Sequence, residues 1–124
     1  MQTVISLKKL SKTIGKSEIL SDISLTLHSG EVFGFLGPNG AGKTTTMKAI
    51  LGIIEPTSGS VEIFGKSPRD TTVQMRIGFM PENTYLYKYL TGDEFLAFNW
   101  WFYQLSRKKI KERIGWALEK VWLT

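Results

Sequence analysis

The chain has 124 residues and a mass of 14.0 kDa, the size of one domain and too short for a second full one. Hydrophobic residues at 42% and charged residues at 22% are ordinary globular usage, which excludes a disordered or fibrous chain, and the lack of cysteine excludes disulfides, thiolate chemistry and cysteine-based metal sites. A net charge of +5 would suit a polyanion, but charge alone does not choose between a nucleotide, acidic lipid headgroups and no specific partner.

The first ten residues, MQTVISLKKL, alternate like a strand and lack the uninterrupted apolar core of a secretion signal. Residues 4–10 and 19–27 both alternate apolar with polar side chains, most clearly at Ile23, Leu25 and Leu27, which predicts half-buried antiparallel strands in a peripheral sheet. His28 precedes a Ser29-Gly30 turn signal and is expected at the surface of a strand end, because one isolated histidine has no metal-ligand pattern around it. Residues 32–36, VFGFL, form a continuous apolar run, as expected of a central strand covered on both faces.

Met47, Ile50, Leu51 and Ile54 recur at helical spacing, with Gly52 and Pro56 as stop signals. Residues 55–60 read as a turn, 61–64 as a short strand, and 77–80 as a buried strand ended by Pro81. Thr91 caps a following helix, with Glu94 placed to reciprocate three residues later. That helix carries the longest apolar stretch, residues 95–105, which is too short to span a bilayer and contains Asn99 and Gln104. Phe95, Phe98, Phe102 and Leu105 make one stripe, but Leu96, Trp100, Trp101 and Tyr103 spread apolar surface around the other faces. A helix apolar on all sides must be covered, and burial within its own domain is preferred over a docking surface for a membrane partner.

A last helix is expected over 107–121, with Ile110, Ile114, Ala117, Leu118 and Val121 on one face. It holds six of the sixteen basic residues, read as a solvated polar face in preference to a nucleic-acid patch. Strands and helices alternate in the middle of the chain and helices cluster at its end, so the class is α/β with a helical appendage.

Residues 37–44, GPNGAGKT, match G-x-x-x-x-G-K-[ST] between the expected central strand and the first helix. Glycines let the backbone curl so that successive N–H groups converge on phosphate oxygens, at a helix end whose dipole already favours an anion. Lys43 can reach the β- and γ-phosphates as a point charge, and the Thr44 hydroxyl can ligate Mg²⁺. The loop by itself specifies a nucleoside triphosphate, leaving GTPases, nucleotide kinases and transport ATPases open.

Three segments together narrow this. FGFLGPNGAGKTTTMK at 33–48, EPTSGSVEIFG at 55–65 and RIGFMPEN at 76–83 resemble the Walker A region, the following segment and the Q-loop of ABC-transporter ATPases. The likeness covers essentially the whole chain, and its style, with LTGDEFL at 90–96, is similar to subunits that pair with export-type (ABC-2-like) permeases. The resemblance implies a P-loop NTPase core with a peripheral antiparallel β-subdomain and the start of a helical subdomain, truncated after the N-terminal part. The expected division is 1–30 for the β region, 31–83 for the core to the Q-loop, and 84–124 for the helical subdomain.

By the same resemblance Gly37, Pro38, Asn39, Gly40, Ala41, Gly42, Lys43, Thr44 and Thr45 surround the phosphates of ATP, Thr45 adds a hydroxyl near the α-phosphate, and Glu82 joins Thr44 at Mg²⁺. The implied partners are a membrane permease and a second copy in a homodimer, on the cytoplasmic face of the membrane, with no nucleic acid; the implied role is to power export of an unidentified substrate.

The chain departs from the pattern in three places. Ile14 stands where the family usually has an aromatic residue to stack on adenine, and aliphatic packing lacks that stacking geometry. Glu82 replaces the commoner glutamine; a carboxylate can approach Mg²⁺ but cannot donate the hydrogen bond of an amide. The chain also ends before the family's signature motif, Walker B pair and switch histidine, and Asp22, Asp70 and Asp93 do not end strands of the Walker B kind. No catalytic residue is therefore assigned, ATP hydrolysis by this chain alone is not expected, and a non-hydrolysing nucleotide-binding or interaction module is the alternative. Unpaired sheet edges and an uncovered core would follow, with weak stability or association.

Overall fold

The computed structural model describes residues 1–83 and 85–123. They form two compact units, one over Met1–Ile77 and the other from Gly78 onward.

The first unit is built on an antiparallel sheet of order β2-β1-β3, with β1 spanning Thr3–Ile14, β2 Ser17–His28 and β3 Ser58–Ile63. The two alternating segments form the expected hairpin, extended beyond the predicted ends and turning at Gly15-Lys16. Strict alternation would put Leu7 and Leu10 on opposite faces, yet both are buried. An irregularity between them, with Lys9 in the left-handed region at φ 48°, returns Leu10 to the core side. Serines satisfy backbone donors at this bulge and at its counterpart across the hairpin. Lys9 N–H donates to Ser24 Oγ at 3.0 Å, and Asp22 N–H donates to Ser11 Oγ at 2.9 Å.

Leu7, Leu10, Leu20, Val61 and Ile63 from the sheet close a small core with Ala49 of helix α1, Lys43–Ile50, and Val73 of α2, Thr71–Gln74. The α1 contribution differs from the expected stripe: Thr46 and Ala49 are its buried residues, while Met47 is exposed and Ile50, Leu51 and Ile54 are half-buried. A small side chain and a hydroxyl bonded to its own helix let α1 approach the sheet closely. The one-turn helix α2 lay outside the sequence reading. Asp70 caps it, accepting from the Thr72 hydroxyl and from Thr72 N–H at 2.8 Å, and these bonds, the hydroxyl's foremost, lower its carboxyl pKa.

The segment expected to be a turn at 55–60 is strand from Ser58 on, so β3 starts three residues before the predicted 61 and ends at Ile63 rather than 64, and the segment is fastened to β1. Thr57 N–H donates to the Ser11 carbonyl at 2.9 Å, Thr13 N–H to Thr57 Oγ1 at 3.0 Å, and Lys12 Nζ to the Glu55 carbonyl at 2.7 Å. At its end Gly59 has φ +81° and lies against the bulge of β1. A Cβ there would overlap the Lys9 carbonyl oxygen and sit 2.5 Å from that of Lys8.

Two predicted strands are absent. Residues 32–36 join no ladder, and Val32 and Leu36 are fully exposed. Residues 77–80 likewise form no strand, with Ile77 half-buried and Phe79 and Met80 exposed. An apolar run becomes a buried strand only where neighbouring strands complete its hydrogen bonds and cover it. Among the described residues the sheet consists of β1, β2 and β3, and none of them pairs with either segment.

The second unit contains α3, Gly92–Trp101, and α4, Arg107–Lys120, which pack against each other. The capping box forms as expected: Thr91 N–H donates to Glu94 Oε2 at 2.8 Å and Glu94 N–H to Thr91 Oγ1 at 3.3 Å. α3 ends before the predicted stripe does, with Phe102 as its C-cap and Gln104 in the left-handed region at φ 53°. Leu105 is therefore off the helix. The expected burial is also overturned: α3 has no buried residue, and Phe98, Trp101, Phe102 and Tyr103 are exposed. One helix neighbour covers one side of α3 and leaves the others open. The aromatic rings meet edge to face, Tyr87 with Phe98 at 5.9 Å between centroids and Phe98 with Phe102 at 5.3 Å.

α4 matches its prediction. Ser106 caps it, and Ile110, Ile114, Ala117 and Leu118 are half-buried, while Val121 lies exposed just past its end. No helix among the described residues is long and apolar enough to cross a membrane.

The capping box predicts a pH response. The Thr91 backbone N–H, then its hydroxyl, hold the Glu94 carboxyl below its ordinary value of 4.5. A depressed carboxylate stabilises the helix in full above the ordinary glutamate range, and that contribution disappears as the pH falls through the lowered value. Helicity of the second unit should therefore decline on acidification below about pH 4.5, as read by far-UV circular dichroism. In Glu94→Gln this part of the acid response should be missing; an unchanged titration would contradict the assignment.

Candidate phosphate-binding site

The loop at 37–42 leads into α1 through two glycines in the left-handed region, Gly40 at φ 83° and Gly42 at φ 85°. Ala41 N–H closes a turn on the Pro38 carbonyl at 3.1 Å. Gly42 is the N-cap of α1 and is buried against β2, where a Cβ would overlap Leu20 Cδ2 and lie 3.0 Å from the Ile19 carbonyl oxygen. Only glycine satisfies both the backbone angle and the space.

A glycine cap has a chemical consequence. Asp, Ser or Thr at an N-cap would turn a side-chain oxygen onto the first helical N–H groups, but here no side chain does so and the first turn holds no acid. The positive end of the helix is left to an external anion. Thr46 secures the cap from within, its N–H and its hydroxyl each donating to the Gly42 carbonyl at 2.9 Å. Sequence reasoning placed no role on Thr46; the third threonine of the run was the available signal. Leu20, which fixes Gly42 from β2, carried none.

The remaining expected residues take these places. Lys43 reaches back across the loop, its Nζ donating to the Gly37 carbonyl and, at 3.5 Å, to that of Pro38. Gly37, Pro38, Asn39, Gly40, Ala41 and Thr44 are exposed, and Thr45 is half-buried. Ile14 is 58% exposed at the tip of the β1–β2 hairpin. Glu82 belongs to the second unit, where it is exposed. His28 ends β2 as expected and pairs with Glu31, Nδ1 to Oε1 at 3.3 Å. The His28 N–H, donating to Glu31 at 2.7 Å, is the main cause of that carboxyl's lowered pKa.

Among the described residues no group of three His, Asp or Glu side chains could hold a metal by itself. The Thr44 hydroxyl is a hard oxygen donor at the open helix end, which fits a magnesium ion arriving with phosphate oxygens, since Mg²⁺ commonly takes few protein ligands and keeps waters and phosphates.

The ABC transporter family profile matches residues 20–124. The SkfA peptide export ATP-binding protein SkfE of Bacillus subtilis is 36% identical over 120 residues, covering 97% of this chain and 50% of its own. The bacitracin transport ATP-binding protein BcrA of Bacillus licheniformis is 40% identical over 101 residues, covering 80% of this chain and 33% of its own. A solved ATP-binding subunit of an ABC transporter superposes with a TM-score of 0.85 at 32% identity, over 98% of this chain and 51% of that one. The chain thus spans a third to a half of these three proteins, and the α/β fold is that of an ABC transporter ATP-binding subunit. On the loop, the profile and the superposition together, the chain belongs to the ABC transporter family.

Proposed function

We propose that residues Gly37, Pro38, Asn39, Gly40, Ala41, Gly42, Lys43, Thr44 and Thr45 bind the phosphates of Mg-ATP in the ATP-binding subunit of an exporter. The observation that carries this reading is the α1 N-terminus: a glycine cap with no side-chain acceptor, no acid in the first turn, and the Lys43 amine beside it. Backbone N–H groups of the loop and first turn would receive the phosphate oxygens, Lys43 would neutralise their charge and Thr44 would ligate the magnesium; the Q-loop resemblance alone supports Glu82 as a second ligand. When bound, magnesium would neutralise phosphate charge. Ile14 offers adenine an aliphatic contact in place of a stacked ring.

In this reading the subunit works at the cytoplasmic face of a membrane, as a homodimer docked on a permease, and powers export. The name of SkfE, a peptide export ATP-binding protein, supports the export class, and that of BcrA, a bacitracin transport ATP-binding protein, supports a role in transport. The three-part division at 1–30, 31–83 and 84–124 belongs to the same reading.

Calorimetric titration of the chain with Mg-ATP tests it. Saturable binding near one equivalent is expected, weakened when magnesium is chelated; no heat and no competition with a fluorescent ATP analogue would reject it. Binding without turnover by the intact gene product would favour the non-hydrolysing module over the exporter ATPase.

A further inference from the structure

The outer face of α4 carries a feature that nucleotide binding does not use. Lys109, Arg113, Trp116 and Lys120 are separated by four, three and four residues, which places them in one stripe along the helix. All four are exposed, Trp116 to 60%. The half-buried Ile110, Ile114, Ala117 and Leu118 lie on a different face. Lys120 Nζ sits 6.0 Å from the Trp116 ring centroid, so cation and indole occupy one patch. The helix's acids, Glu112 and Glu119, share a neighbouring flank and interrupt nothing within the stripe. The ion pairs found among the described residues, His28–Glu31, Lys66–Asp70 and Arg69–Glu55, use none of its cations.

We propose that this stripe is a contact surface for anionic phospholipid headgroups. Three cations in a row match a negatively charged bilayer surface, and tryptophan is the side chain that settles at the level of the headgroups, with an apolar body and one N–H donor. A nucleic acid fits less well. Single-strand binders combine a basic groove with successive aromatic platforms, whereas this is one ring on a convex helix. The choice of a membrane also rests on the transporter reading above, which keeps the protein beside one. The contact would orient the second unit toward the bilayer independently of any permease.

The test is co-sedimentation of the chain with vesicles of phosphatidylcholine, and of phosphatidylcholine mixed with phosphatidylglycerol. Binding is expected only to the mixed vesicles, with a blue shift of tryptophan emission that Trp116→Phe removes. Each basic side chain near an anionic surface strengthens binding about fivefold, so the triple change K109Q/R113Q/K120Q should weaken it on the order of a hundredfold. Glutamine keeps helix propensity, and far-UV circular dichroism checks the fold. Should the variant lose helix, wild-type binding must still vanish at about 1 M salt, where the Debye length is about 3 Å.

Equal binding to neutral vesicles, or an unweakened and folded variant, would overturn the proposal; so would capture of short oligonucleotides in place of vesicles. Mg-ATP titration of the same variant separates the two readings: wild-type nucleotide binding with lost vesicle binding supports the stripe, while absent nucleotide binding in both proteins rejects the ATP site and leaves the vesicle result to stand alone.

Discussion

Replacing Lys43 with alanine is expected to weaken Mg-ATP binding by about 10- to 150-fold, the equivalent of about 1.5–3 kcal/mol for a hydrogen bond to a charged group. The amine is the one side-chain cation in the 37–45 segment, and it already lies over the loop, donating to the Gly37 and Pro38 carbonyls. Lys43→Met, which keeps much of the stem without the charge, should show a loss of the same order. Because Lys43 contributes nothing to the small core of the first unit, circular dichroism should not change. Equal binding by wild type and both variants would remove the lysine from the site.

The largest expected effect on stability comes from Gly59→Ala. A residue other than glycine in the left-handed region costs roughly 1–2 kcal/mol. The added Cβ would also meet the carbonyl oxygens of Lys8 and Lys9, which are backbone atoms of the central strand and cannot move without disturbing the β1–β3 ladder. The combined loss should exceed about 3 kcal/mol, a large fraction of the roughly 5–15 kcal/mol typical of a domain. Gly65→Ala is the matched control: its φ is +72° but nothing lies within 4 Å of the new carbon, so only the backbone strain should register. Urea titrations giving both variants the same midpoint would show that the close approach at Gly59 is unimportant.

Local signals in the sequence were read well and long-range ones were not. The β1–β2 hairpin, β3, the Thr91–Glu94 capping box and α4 all follow from side chains within a few residues of one another, and each is present. Residues 32–36 and 77–80 needed partners distant in sequence, and hydrophobicity alone cannot say whether those partners are at hand. The burial of Thr46 in place of Met47 is likewise set by how closely α1 approaches the sheet, which no periodicity encodes. At the candidate site the glycines and Lys43 could be named from spacing. The clamp of Leu20 on Gly42 could not, because it joins residues from β2 and the loop.

The two ends of the 37–42 loop are held by different kinds of contact. Its far end is fixed sterically, by Gly42 wedged against β2, whereas its near end, leaving the unpaired 32–36 segment, is tied chiefly by the Lys43 amine on the Gly37 carbonyl. A phosphate would compete for that same amine. Anion capture then exchanges an internal tether for an external one, and whatever residues 32–41 lose in conformational freedom on closing around the ligand, about 1–2 kcal/mol for each backbone newly fixed, is subtracted from the affinity. A strand laid beside 32–36 would supply that ordering in advance and raise the loop's affinity without touching the nucleotide.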